Sequence, residues 1–164
     1  MIPREQNVCL NIGEKAPDFT LPDQNGSQVR LSDFKGKKNV VLVLHPSTLT
    51  KSCKDDIRFY QERTDEFHAL NTEILVVNMD SIDYNRDWVK EIGGLSFPVL
   101  SDRDPLGGVS LTYDCFVPKE GYGNRAVFVI DKSGIIRHIE KIKALRGACP
   151  DMIRLSDVLL SLKS

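Results

Sequence analysis

Val40-Val41-Leu42-Val43-Leu44 leads directly into His45-Pro46-Ser47-Thr48-Leu49-Thr50-Lys51-Ser52-Cys53, and the rest of the chain orders itself around this stretch. Five consecutive apolar residues, three of them β-branched, make a strand buried on both faces rather than one. A central strand is expected. Beyond it, Ile57, Tyr60, Thr64 and Phe67 recur at helical spacing, predicting a helix from Cys53 to about Leu70, and Ile74-Leu75-Val76-Val77 reads as the next buried strand. Strand, helix and strand in that order form a βαβ unit, whose two strands run parallel.

Working outward, Ala16 to Asp23 and Gln28-Val29-Arg30-Leu31 flank an Asn25-Gly26 turn signal, which predicts an N-terminal hairpin. Downstream, a helix is expected from Ile82 to Ile92, stopped by Gly93-Gly94, and Pro98-Val99-Leu100 is a short strand. A weak helical stretch covers Val109 to Tyr113. Ala126-Val127-Phe128-Val129-Ile130 and Ile135-Ile136-Arg137-His138-Ile139 flank the Asp131-Lys132-Ser133-Gly134 turn and form a second hairpin. Met152, Leu155, Val158, Leu159 and Leu162 lie at helical spacing after Cys149-Pro150-Asp151, where Pro suits a first turn and Asp suits the helix dipole. The fold class is therefore α/β: a thioredoxin-like order with a central mixed β-sheet flanked by helices and preceded by a β-hairpin.

The chain has 164 residues, 41% hydrophobic and 27% charged, which suits one domain spanning 1–164. Its net charge of -1 supplies no basic field for nucleic acid or anionic membranes, so neither is expected as a partner. No window approaches the roughly eighteen apolar residues of a membrane span, and the N-terminus lacks the pattern of a signal peptide. A soluble, cytoplasmic protein is the expectation. Cys9, Cys53, Cys115 and Cys149 are separated by 44, 62 and 34 residues, so no zinc knuckle, CxxC pair or compact disulfide framework is present, and neither a metal nor a cofactor is expected.

Chemistry concentrates at the end of the central strand, where open α/β sheets place their sites. Thr50 is a good N-cap, which puts Cys53 in the first turn of the following helix, facing unpaired N–H groups and the positive end of the dipole. Both favour the thiolate, the form that attacks. Asp55 and Asp56 oppose it and Lys51 and Lys54 partly offset them, so a further cation is wanted.

Pro46, Thr50 and Cys53 fill the pattern Pro, three residues, Thr or Ser, two residues, Cys, and here the chain resembles the peroxiredoxins, thiol-dependent peroxidases of the alkyl hydroperoxide reductase and thiol-specific antioxidant group. The resemblance extends to Ile12-Gly13-Glu14-Lys15-Ala16-Pro17-Asp18-Phe19, to Phe97-Pro98-Val99-Leu100-Ser101-Asp102 and to Arg125-Ala126-Val127-Phe128-Val129-Ile130-Asp131. It implies that Cys53 attacks peroxide and becomes a sulfenic acid, that Thr50 and Arg125 meet the developing charge, with Arg125 as the missing cation, and that Pro46 shields the thiolate. It also implies a thiol reductant such as thioredoxin, a homodimer, and a resolving thiol for which Cys149 is the first candidate and Cys115 the second. Lys54 and Asp56 depart from the family's usual residues. Gly93-Gly94-Leu95-Ser96 resembles the Gly-Gly-Leu-Gly segment of easily overoxidised members, but the companion C-terminal Tyr-Phe is missing, so resistance to overoxidation is expected.

Other chemistries compete for the same cysteine. A Cys-His hydrolase could use His45, His68 or His138 as base, although no oxyanion loop is recognisable. A thiol-disulfide exchanger is opposed by Asp56, which stands where a second CxxC thiol would be. A redox-sensing or binding module without efficient turnover is the non-enzymatic alternative. His68 and His138 read as solvated or packing residues, Arg125 as an ordinary surface ion pair if it has no site role, and Pro46 as a strand terminator.

Overall fold

The computed structural model describes residues 10–44, 51–103, 108–113, 116–117, 122–123, 125–142 and 158–162. Its centre is the expected strand, β3 (Asn39–Leu44), every residue of which is buried. Its side chains alternate between two cores, Val40, Leu42 and Leu44 on one face and Val41 and Val43 on the other. Each such side chain removed from water contributes about 1.5–3 kcal/mol, which is why a run with no polar interruption occupies the middle of the sheet.

β4 (Thr72–Asn78) runs parallel to β3, with Asn39 opposite Thr72 and Leu44 opposite Val77. β5 (Val99–Ser101) is parallel to β4, while β8 (Arg125–Ile130) is antiparallel to β3 and β9 (Ile136–Ile142) antiparallel to β8. The spatial order is β5-β4-β3-β8-β9, a mixed sheet as the chain order implied. Two small antiparallel ribbons complete the strands: the anticipated N-terminal hairpin of β1 (Thr20–Pro22) and β2 (Gln28–Arg30), and an unanticipated pair, β6 (Phe116–Val117) with β7 (Tyr122–Gly123).

Three helices gather on one face. α1 (Lys51–Glu62), α2 (Thr64–Ala69) and α3 (Ile82–Glu91) bury Ile57, Tyr60, Phe67 and Trp88 against Val41, Val43, Val127 and Val129, and Leu159, in the helical residues 158–161, joins them. The rest of the expected C-terminal helix lies outside the described residues. The opposite face is covered by the N-terminal hairpin, by Leu31 and Phe34 of a short 3-10 turn (Leu31–Phe34), and by Tyr113 after α4 (Gly108–Thr112). Tyr113 is wedged between Phe19 and Phe128 in two edge-to-face contacts, with centroids 6.2 and 5.1 Å away, and its hydroxyl donates to the Pro17 carbonyl.

One expectation needs correcting. The helix predicted from Cys53 to about Leu70 is two helices that part at Arg63, where the backbone turns to φ -106° and ψ 9°. The Thr64 hydroxyl donates back to the Tyr60 carbonyl at 3.1 Å, a bond of the kind that bends helices. Phe67 and Tyr60, two helical turns apart in sequence, remain buried side by side across the break, their rings 6.2 Å apart.

Candidate active site at the carboxyl end of the sheet

β3 ends at Leu44, which lies opposite Val77 on one side and Ala126 on the other. α1 starts at Lys51, so Cys53 is its third residue and belongs to the first turn, where backbone N–H groups lack helical acceptors. Arg125 is the first residue of β8 and precedes Ala126, so its register position lies one step past the end of β3. Register and helix start thus bring residues 53 and 125 to one end of the sheet although 71 other positions separate them in the chain. Pro46, Thr50, Cys115, Cys149, Cys9 and His45 lie outside the described residues.

The two described histidines are elsewhere. His68, half exposed near the end of α2, has its Nε2 3.6 Å from Glu73. Glu73 is opposite Val40, so this pair occupies the amino end of β3 and β4, away from Cys53. His138 is buried on β9 opposite Val129, with its Nε2 3.7 Å from Glu140. The hydrolase reading therefore has no base at Cys53 among the described residues.

A second acidic and basic pair occupies the same end of the sheet, and sequence reading had passed over it. Asp80 follows the end of β4 by two residues, and Asp102-Arg103 follows β5. Burial pushes the Asp80 carboxyl up to about 6 while Arg103 pulls it the other way, and Asp80 Oδ2 has no hydrogen-bond partner among the described residues. The Arg103 Nη1 donates to the Met79 carbonyl at 3.0 Å. Beneath them a buried polar network holds the strand ends. Asn78 and Asn85 exchange amide hydrogen bonds at 2.9 Å each, Asn85 Nδ2 also donates to Ser101 Oγ (3.0 Å), and Trp88 Nε1 donates to Asn85 Oδ1 (2.8 Å). Because its members satisfy one another away from water, this network ties the ends of β4 and β5 rigidly to α3. The available signal was position: Asp80 and Arg103 both follow the carboxyl ends of parallel strands.

α1 is also anchored at its far end. Gly93 and Gly94, after α3, both take positive φ (96° and 93°), and Gly94 N–H donates to the Val89 carbonyl, closing the helix. The turn delivers Ser96 to Gln61 on α1, where two hydrogen bonds of 2.8 Å tie the segments together. Among the described residues no three His, Cys, Asp or Glu side chains are grouped to hold a metal ion, and no helix is long and apolar enough to cross a membrane.

The family model described as AhpC/TSA family matches residues 12–139. Alkyl hydroperoxide reductase E of Mycobacterium tuberculosis is 39% identical over 131 residues, 80% of this chain and 85% of that protein. A mitochondrial thioredoxin-dependent peroxide reductase of Drosophila melanogaster is 35% identical over 139 residues, 79% of this chain and 58% of that one. Among solved structures, the reduced 2-Cys peroxiredoxin of Plasmodium vivax superposes with a TM-score of 0.81 at 28% identity, covering 92% of this chain and 82% of that one.

Proposed function

The chain belongs to the AhpC/TSA family and is a peroxiredoxin, a thiol-dependent peroxidase of thioredoxin-like fold, and on that premise we propose that Cys53 is the thiol that reduces peroxide, assisted by Arg125, Thr50 and Pro46. The observation that supports this assignment is that α1 begins, with Cys53 in its first turn, after the carboxyl end of β3, and that β8 begins, with Arg125, one register step beyond that same end. A guanidinium and a helix start acting on one thiol both favour the thiolate, by opposite charge and by the dipole.

The chemistry then balances as follows. The Cys53 thiolate attacks one oxygen of hydrogen peroxide or an organic hydroperoxide. A sulfur–oxygen bond forms as the oxygen–oxygen bond breaks, and the departing hydroxide or alkoxide takes up a proton to leave as water or alcohol. Cys53 is left as a sulfenic acid. Arg125 and Thr50, held in position before reaction, stabilise the charge growing on the departing oxygen better than reorganising water does, and Pro46 covers the sulfur against competing reactions.

A second thiol next attacks the sulfenic sulfur, forming a disulfide and releasing water. Cys149 is our first choice for that thiol and Cys115 the second. Reduction by thioredoxin or a similar dithiol restores both cysteines, a reading supported by the name of the Drosophila relative. We place this cycle in a homodimer and in the cytoplasm, whose reducing poise keeps four scattered cysteines as thiols. The test of the Cys53 assignment is anaerobic stopped-flow mixing of the reduced protein with peroxide. Cys53→Ser is expected to abolish peroxide consumption, and a variant that consumes peroxide as fast as the parent protein overturns the assignment.

A further inference from the structure

At the end of the sheet remote from Cys53, a cavity of about 270 Å³ opens between the N-terminal segment, the 3-10 turn and the β8–β9 turn. Its floor is apolar, made by Leu31, Phe34, Val40 and Ile130, all of which belong to or pack against the hydrophobic core. Its rim carries three ammonium groups, Lys15, Lys35 and Lys38. From this pairing of an apolar floor with a cationic rim we infer a binding site for a small amphipathic monoanion, an aromatic or short aliphatic carboxylate whose body fills the cavity and whose headgroup meets the lysines.

Charge accounting at the rim favours an anion. Two carboxylates also line the cavity, but Asp131 is paired with Arg137, which leaves the Asp18 carboxylate against three ammonium groups. Asp18 Oδ1 accepts the Ser32 N–H at 2.9 Å. Asp131 accepts the Ser133 and Ile135 N–H groups at 2.8 and 3.0 Å through Oδ1 and the Arg137 guanidinium at 2.6 Å through Oδ2. Partial burial disfavours its charged form, yet Arg137 and the two N–H groups hold it below the ordinary carboxylate value. Of the lysines, Lys38 makes only a 4.0 Å approach to Glu73. Lys15 and Lys35 enter no ion pair with the described residues, so their charges remain available to a ligand.

The cavity is preformed. Ala16 N–H donates to the Gly134 carbonyl at 2.9 Å, Gly36 N–H to the Lys132 carbonyl at 2.7 Å and Ile136 N–H to the Glu14 carbonyl at 2.8 Å. These backbone bonds lock its three walls together, so a ligand does not have to order them. Gly134 has φ +81°, and a Cβ there would meet the Lys35 stem at 3.9 Å, which puts the apolar part of that side chain against the turn with its charge toward the rim.

The probe is 1-naphthoate, titrated into the reduced, isotope-labelled full chain and followed through backbone amide resonances. Saturable shifts are expected at Ser32, Lys35, Ser133 and Gly134, with the neutral 1-naphthylmethanol about tenfold weaker, as expected for loss of charge attraction near a protein surface. A variant carrying both Lys15→Gln and Lys35→Gln should bind naphthoate about tenfold more weakly. The inference is overturned if no saturable shift occurs at millimolar naphthoate, if the shifts map elsewhere, if the neutral alcohol binds equally well, or if the double variant binds like the parent. None of these outcomes depends on the Cys53 chemistry.

Discussion

Gln61 and Ser96 hold one another by two hydrogen bonds of 2.8 Å, the Gln61 Nε2 donating to the Ser96 hydroxyl and the Ser96 N–H donating to the Gln61 Oε1. They join the last turn of α1 to the loop after α3. Ile57 and Tyr60 on the same helix have no solvent exposure, so α1 is fastened along its second half by packing as well as by this pair.

The pair should be worth about 1 kcal/mol, because its groups are exposed and exchange protein partners for water. Gln61→Ala and Ser96→Gly are each expected to lower unfolding free energy by about that amount, and the double variant by less than the sum. Urea denaturation of the four proteins measures the coupling. Strict additivity would show that the two residues act independently.

For Arg125 the expected loss is kinetic. On the proposed assignment, replacing the guanidinium by an uncharged chain of similar length removes charge stabilisation of both the thiolate and the departing oxygen. Arg125→Met should therefore raise the Cys53 pKa and slow peroxide reduction by about a hundredfold or more. Arg125→Lys should restore part of the rate, since it returns the charge without the planar fork. Thiol titration by ultraviolet absorbance and stopped-flow kinetics read the two effects, and unchanged values in Arg125→Met would make the arginine a bystander.

Peptide mapping after one equivalent of peroxide should find a disulfide between Cys53 and Cys149. Their Cα atoms must come within about 7 Å for that bond. A Cys53–Cys115 link, or a persistent Cys53 sulfenic acid, sinks the assignment of Cys149.

Asp80 makes a prediction about pH. Its carboxyl is raised from 3.8 to about 6 by burial, so the folded state keeps a proton that the unfolded state has released. Stability from this group is present below about pH 4 and is lost as pH rises through about 6, after which the cost is constant. Because the group is only partly buried, that cost is on the order of 1–2 kcal/mol after allowance for solvent screening. Asp80→Asn, which mimics the neutral acid, should be more stable than the parent by about 1 kcal/mol at pH 7.5 and equal to it near pH 4. Denaturant titrations at both pH values decide it; a variant destabilised equally at both would show that the carboxylate is instead needed by the fold.

The sequence by itself determined the elements whose periodicity is strong and whose burial is complete. Val40 to Leu44, Ile74 to Val77 and Ala126 to Ile130 are apolar on both faces, and no arrangement but the interior of a sheet removes all of them from water. Turn chemistry likewise marked the Asn25-Gly26 hairpin and the Gly93-Gly94 stop, since positive φ at these glycines is a local requirement. Pro46, Thr50 and Cys53 were legible as a motif, because a spacing pattern survives in one dimension, whereas Arg125 was singled out only through the resemblance of its strand to the family's.

What only the tertiary structure decided depends on partners far apart in the chain. The division of the 53–70 helix at Arg63 leaves the helical period intact, with Tyr60 and Phe67 still on one buried face, and is marked by the Thr64 hydroxyl donating to the Tyr60 carbonyl, a bond that spacing alone does not reveal. The raised carboxyl of Asp80 follows from what surrounds it at the ends of β4 and β5, and the Gln61–Ser96 tie from a crossing of two segments 35 positions apart. The lysine-rimmed cavity draws its walls from residues 15 to 40 and 130 to 134. Propensity and periodicity describe a residue with its near neighbours, whereas burial, charge environment and cavity shape belong to the packed set, so they exist only once the sheet has closed.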